Sequence, residues 1–93
     1  MRIIGYIGHP ELKITVFKMD DKLSVKFENG FFEQTVKIRQ IDGLSTLADI
    51  TQLVDAEYLE GVQSIFREME VLRHTAFQRF LPATETEEFE TII

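Results

Sequence analysis

KLSVKFENGFFEQTVKIR, residues 22–39, reads as two strands joined by a tight turn. Leu23, Val25 and Phe27 alternate with Ser24, Lys26 and Glu28, the period-two pattern of a half-buried strand. Asn29-Gly30 follows, a pair that tolerates the positive φ of a two-residue hairpin loop. Such a loop sets Phe27 opposite Phe32, Val25 opposite Gln34 and Leu23 opposite Val36, with Ile38 continuing this inner face. On the outer face it sets Glu28 opposite Phe31, Lys26 opposite Glu33, Ser24 opposite Thr35 and Lys22 opposite Lys37. Successive side chains on a strand point to opposite sides. Phe32 therefore belongs to the core, and Phe31 is left as a contact residue or an apolar cover over its turn.

The chain before this hairpin extends the sheet. LKITVFKM (12–19) is rich in β-branched and aromatic residues, and Asp20-Asp21 makes a turn. A two-residue turn there puts Ile14 and Val16 inside and Thr15, Phe17 and Met19 outside. One residue more or less would exchange the faces of the whole strand. RIIGYIG (2–8) stops at His9-Pro10, because proline cannot donate to a sheet ladder. Its two glycines signal a bulge or the close approach of another backbone.

After residue 40 the period changes. Gly43 breaks the strand pattern, and Thr46-x-x-Asp49 resembles a capping box ahead of a short helix striped by Leu47, Ile50 and Val54. Asp55 can cap a second helix running to about Phe80, before Pro82. Tyr58, Leu59, Val62, Ile65, Phe66, Met69, Leu72, Ala76, Phe77 and Phe80 recur on it at three- and four-residue steps. At ~1.5 Å per residue it is roughly 37 Å long. A strand of six or seven residues spans only about 20–24 Å, so an apolar stripe should overhang the sheet. The expected fold is α+β: a four-stranded antiparallel meander, then a short and a long α-helix packed on one face. Residues 1–82 form one domain and the glutamate-rich residues 83–93 an acidic C-terminal tail.

Ninety-three residues, 44% of them hydrophobic, can build a modest core, and small domains bury a smaller share of their surface. Self-association is a natural way to add buried area. There is no cysteine, hence no disulfide framework. The N-terminus has one basic residue and an apolar run broken by glycines, unlike a signal peptide. No run approaches the ~20 apolar residues of a membrane span, so no membrane contact and a cytoplasmic location are expected. The net charge of −6 is uneven, +2 over residues 1–40 and −8 over residues 41–93.

Catalytic patterns are weak. His9 and His74 lack metal-ligand spacing, and Ser24, Ser45 and Ser64 have no recognisable base beside them. Glu68/Glu70 and Glu87/Glu88 read as solvated charges, and Gly5-x-x-Gly8 lacks the further glycine of a dinucleotide fingerprint. No enzyme activity, cofactor or metal is expected. Two residues interrupt apolar surfaces. Gln34 on the inner face needs partners, and Arg73 near the centre of the helical stripe must snorkel, pair or lie exposed.

The outer sheet face stands out. It collects Phe17, Met19 and Phe31 beside Lys22, Lys26, Lys37 and Arg39. With Arg73 these residues form the candidate interaction surface. A sheet covered by helices on one side leaves the other for a partner. The expected function is a non-enzymatic, homodimeric protein-interaction module with a further, unknown protein partner. Basic groups interleaved with aromatics also suit single-stranded nucleic acid. A third reading is an acidic adaptor or chaperone for another protein.

Overall fold

A computed structural model describes residues 1–39 and 43–81. Four antiparallel strands, β1 (Arg2–Ile7), β2 (Lys13–Met19), β3 (Lys22–Glu28) and β4 (Glu33–Arg39), form one sheet in the order β1-β2-β3-β4. Two helices follow, α1 (Leu47–Leu53) and α2 (Ala56–Phe80). The chain is thus the α+β meander that its periodicities predict. The acidic tail expected over 83–93, and the Pro82 that should end the long helix, lie outside the described residues. The chain forms two compact units, Met1–Gln63 and the chain from Ser64 onward.

In the first unit the β2–β3 turn has the expected two residues, Asp20-Asp21, with Met19 opposite Lys22 and Val16 opposite Val25. Asp20 takes a left-handed φ of 54°, a conformation that aspartate tolerates better than most residues. The β3–β4 turn departs from expectation. Glu28 pairs with Glu33, Phe27 with Gln34, Val25 with Val36 and Leu23 with Ile38, so residues 29–32 form a four-residue loop. The cause is the Asn29 side chain. Its Oδ1 accepts the backbone N–H groups of Phe31 (3.0 Å) and Phe32 (2.9 Å), and Asn29 N–H donates to the Phe32 carbonyl. Gly30 supplies the positive φ, 98°. The register moves by two residues, so every β4 side chain that remains paired keeps its expected face.

The inner face is a dry layer of Ile14, Val16, Leu23, Val25, Phe27 and Ile38, all buried. Leu12, Ile50, Val54 and Val62 complete the core of this unit. Tyr58 on the first turn of α2 stacks at a tilt on Phe27, ring centroids 5.8 Å apart. Gln34 donates to the Val62 carbonyl at 2.9 Å, which explains a polar residue on this face: it ties β4 to the helix backbone. Gln63 donates to Glu11 at 2.9 Å.

The helix starts follow the sequence signals. Thr46 caps α1, Asp49 N–H donates to Thr46 Oγ1 at 3.1 Å, and Asp49 Oδ2 accepts from the Ser45 and Thr46 N–H groups, each at 3.1 Å. Asp55 caps α2 by accepting the Tyr58 N–H at 2.9 Å. The Ser45 backbone N–H first, then the Thr46 hydroxyl and N–H, hold the Asp49 carboxyl below the ordinary 3.8. A group lowered on folding contributes stability above its unfolded pKa and loses it as pH falls through the folded value. Acid titration from pH 4 downward should therefore destabilise α1 in the native chain, with a smaller pH dependence in Asp49→Asn. Amide hydrogen exchange of Ile50 and Val54 along the titration checks this, and identical profiles in both proteins would refute it.

In the second unit α2 continues from Ser64 to Phe80, and the Leu81 N–H donates to the Phe77 carbonyl. Phe66 is buried, whereas Ile65, Val71, Leu72, Phe77 and Phe80 are exposed. No described helix is long and apolar enough to cross a membrane.

Candidate functional site

The outer sheet face is set by three cross-strand registers. β2 and β3 contribute Lys13, Thr15, Phe17, Met19, Lys22, Ser24, Lys26 and Glu28, and β4 adds Glu33, Thr35, Lys37 and Arg39. Five cations stand here against two carboxylates, a net +3 on one face of a chain whose total is −6. The two carboxylates, Glu28 and Glu33, sit opposite each other at the end of the sheet that also holds Lys13. At the other end the strand residues of this face are basic or hydroxylated: Lys22 opposes Arg39 and Ser24 opposes Lys37, beside the Asp20-Asp21 turn.

β1 brings two residues that sequence reasoning did not assign. A bulge between Ile3 and Gly5 lets Ile3 pair with Phe17 and Tyr6 with Thr15. Three residues apart on one strand, they meet partners two apart on the next, so both lie on the outer face. Ile3 is 51% and Tyr6 60% exposed. The glycine in RIIGYI signals a bulge but does not say which residue is skipped.

The candidate residues thus divide. Phe17, Met19, Lys22, Lys26, Lys37 and Arg39 share the outer face, as expected. Phe17 is half-buried with the Lys26 ammonium 5.7 Å from its ring centroid, and Met19 is exposed. Phe31 is not on this face opposite Glu28; the four-residue loop removes it from the ladder and leaves it 82% exposed at the turn. The expected Lys22–Lys37 opposition becomes Lys22–Arg39, with Lys37 one step away on the same face. Arg73 belongs to the second unit, where its side chain is 52% exposed, 3.9 Å from Glu70 and stacked 4.9 Å from the Phe77 ring centroid.

Thr15 lies at the centre of the outer face, between Tyr6 and Lys26, and is only 2% exposed. Among the described residues its hydroxyl has no hydrogen-bond partner, and its burial means that the middle of this face is not open to water. His9 has a local structural use: its Nδ1 accepts the N–H groups of Glu11 (3.0 Å) and Leu12 (3.1 Å), which closes the β1–β2 connection. Among the described residues no group of three or more His, Asp or Glu side chains could hold a metal ion. No family model, no curated protein and no solved structure matches this chain.

Proposed function

We propose that the protein is a non-enzymatic interaction module that works as a homodimer, paired through the second half of α2. The observation that carries this reading is the exposure of Ile65 (48%), Leu72 (69%), Phe77 (47%) and Phe80 (76%) on one helix. A lone helix of this length is marginal in water, and its stability normally comes from packing an apolar face. The charges favour a second copy as the partner. In this half of the helix Arg67, Glu68 and Glu70 come first, a net −1, and Arg73 and Arg79 later, a net +2. An antiparallel pair sets the acidic stretch of each copy against the basic stretch of the other, whereas a parallel pair sets like against like.

Light scattering tests this directly. The native protein should give a two-chain mass, against 10.8 kDa for one chain. Leu72→Glu combined with Phe80→Glu should return the mass to one chain, and should leave Phe27–Tyr58 contacts intact by NMR because both sites are exposed. A native monomer at high micromolar concentration would rule the reading out.

A second reading has its own observation. The net +3 and the exposed aromatic and apolar groups of the outer face suit a single-stranded nucleic acid. Its affinity would fall steeply with salt and weaken in the Lys22→Glu/Lys37→Glu double variant, which need not alter the mass.

A further inference from the structure

We infer that the basic end of the outer sheet face is a binding site for the phosphate of a nucleoside or sugar phosphate, built from Lys22, Ser24, Lys37 and Arg39. The site rests on the strand register and needs neither reading above.

Lys22 is directly opposite Arg39, and Ser24 directly opposite Lys37. Directly opposed residues stand ~5 Å apart, and alternate residues on one strand about 7 Å apart. Four side chains therefore rise from one small quadrilateral on a single face, three of them cationic and the fourth a hydroxyl. Among the described residues none of Lys22, Lys37 and Arg39 has a carboxylate within ion-pair distance. Like charges directly opposite each other are unfavourable in a sheet. An oxyanion between them would remove that repulsion, with the Arg39 guanidinium offering its fork and the lysines point charges.

The surface shape narrows the ligand. A hollow is lined by Met19, Asp20, Asp21, Lys22, Ser24 and Lys37. Three of the four quadrilateral residues, Lys22, Ser24 and Lys37, line it together with the two carboxylates of the turn. A bare polyanion would meet those carboxylates unfavourably. A phosphate ester whose adjoining group carries hydroxyls would present donors to Asp20 and Asp21 and phosphate oxygens to the cations and Ser24. A carboxylate-bearing peptide lacks that division between a strongly anionic end and an uncharged donor end. Met19 gives the apolar side of the hollow.

The experiment is a titration of the full chain, followed by amide shifts in NMR, with adenosine monophosphate, a short oligoadenylate and a glutamate-rich peptide as separate probes. Saturable shifts at Lys22, Ser24, Lys37 and Arg39 with the mononucleotide are expected. Lys37→Gln or Arg39→Gln should each weaken binding about tenfold, the scale of one charged hydrogen bond. Because both positions are exposed, the shifts of core residues should stay in place. An oligonucleotide that binds no more tightly than the mononucleotide upholds the site and counts against the strand reading. Tighter oligonucleotide binding that still centres on these four residues upholds both. Oligonucleotide shifts confined to Lys13 and Lys26 would overturn the site while leaving the strand reading. No saturable shift, or equal binding of the glutamate-rich peptide, would also overturn it.

Discussion

Phe27→Ala should cost about 3–5 kcal/mol of folding stability, and Phe31→Ala, four residues on, should change it by no more than about 0.5 kcal/mol. Phe27 is 0% exposed, on the interior strand β3 and in ring contact with Tyr58, so truncation leaves a cavity that neighbours on both flanking strands cannot fill. Phe31 is 82% exposed in the four-residue loop, and what holds the loop there is its backbone N–H on Asn29, which alanine keeps. Domains of this size have a total stability of roughly 5–14 kcal/mol. The first variant thus loses a large share of it and the second almost none. Urea denaturation followed by circular dichroism measures both. Comparable losses would mean that Phe31 has a packing role in the free chain. A null effect on stability would instead make Phe31→Ala a clean variant for binding assays, since any change there would report on contact alone.

The hairpin of residues 22–39 shows what the sequence can and cannot convey. Alternation in KLSVKFE and the return through QTVKIR assign the inner face correctly, because the core requires parity and not a particular partner. A shift of two residues preserves parity, so the apolar pattern cannot distinguish a two-residue loop from a four-residue one. The choice falls to the turn, where the Asn29 side chain accepts two backbone N–H groups and outweighs the simple Asn-Gly preference. The Asp20-Asp21 turn has no such competing bond among the described residues and takes its expected length. Helix starts were legible for a related reason: Thr46, Asp49 and Asp55 act on backbone groups three or four residues away, within reach of a local pattern.

The candidate surface was less legible, since it depends on alignment between strands. The two-residue shift brings Arg39 opposite Lys22 and Lys37 opposite Ser24, which concentrates charge at one end of the face. The bulge in β1 adds Ile3 and Tyr6 at its other margin. Neither effect changes composition or periodicity. Both change which side chains are neighbours, and binding surfaces are made of neighbours.

Gly5→Ala is the second substitution with a large expected effect, through an approach that no periodicity reveals. Gly5 pairs with Val16 and faces inward, where α1 crosses β1. A Cβ on Gly5 would overlap Leu47 Cδ2 and stand 3.1 Å from Cδ1 and 3.3 Å from Cγ. Overpacking of this kind costs about 1–3 kcal/mol. It is offset in part by the ~0.4–1 kcal/mol that replacing glycine gains from the unfolded chain. The net expectation is a loss of about 1–2 kcal/mol, larger for Gly5→Val, whose branches meet the same leucine. Leu47→Ala opens the space, so in that background Gly5→Ala should become neutral or stabilising. The four proteins of this double-mutant cycle should show a coupling of about 0.5–3 kcal/mol that favours the double variant. Additive effects would mean that Leu47 moves aside without cost and that β1 is not fixed by α1. The cycle also reaches the outer face, because the bulge that brings Ile3 and Tyr6 onto that face lies immediately before Gly5. If Leu47 holds this part of β1, Gly5→Ala alone should shift the Tyr6 and Thr15 amide resonances, and the double variant should restore them.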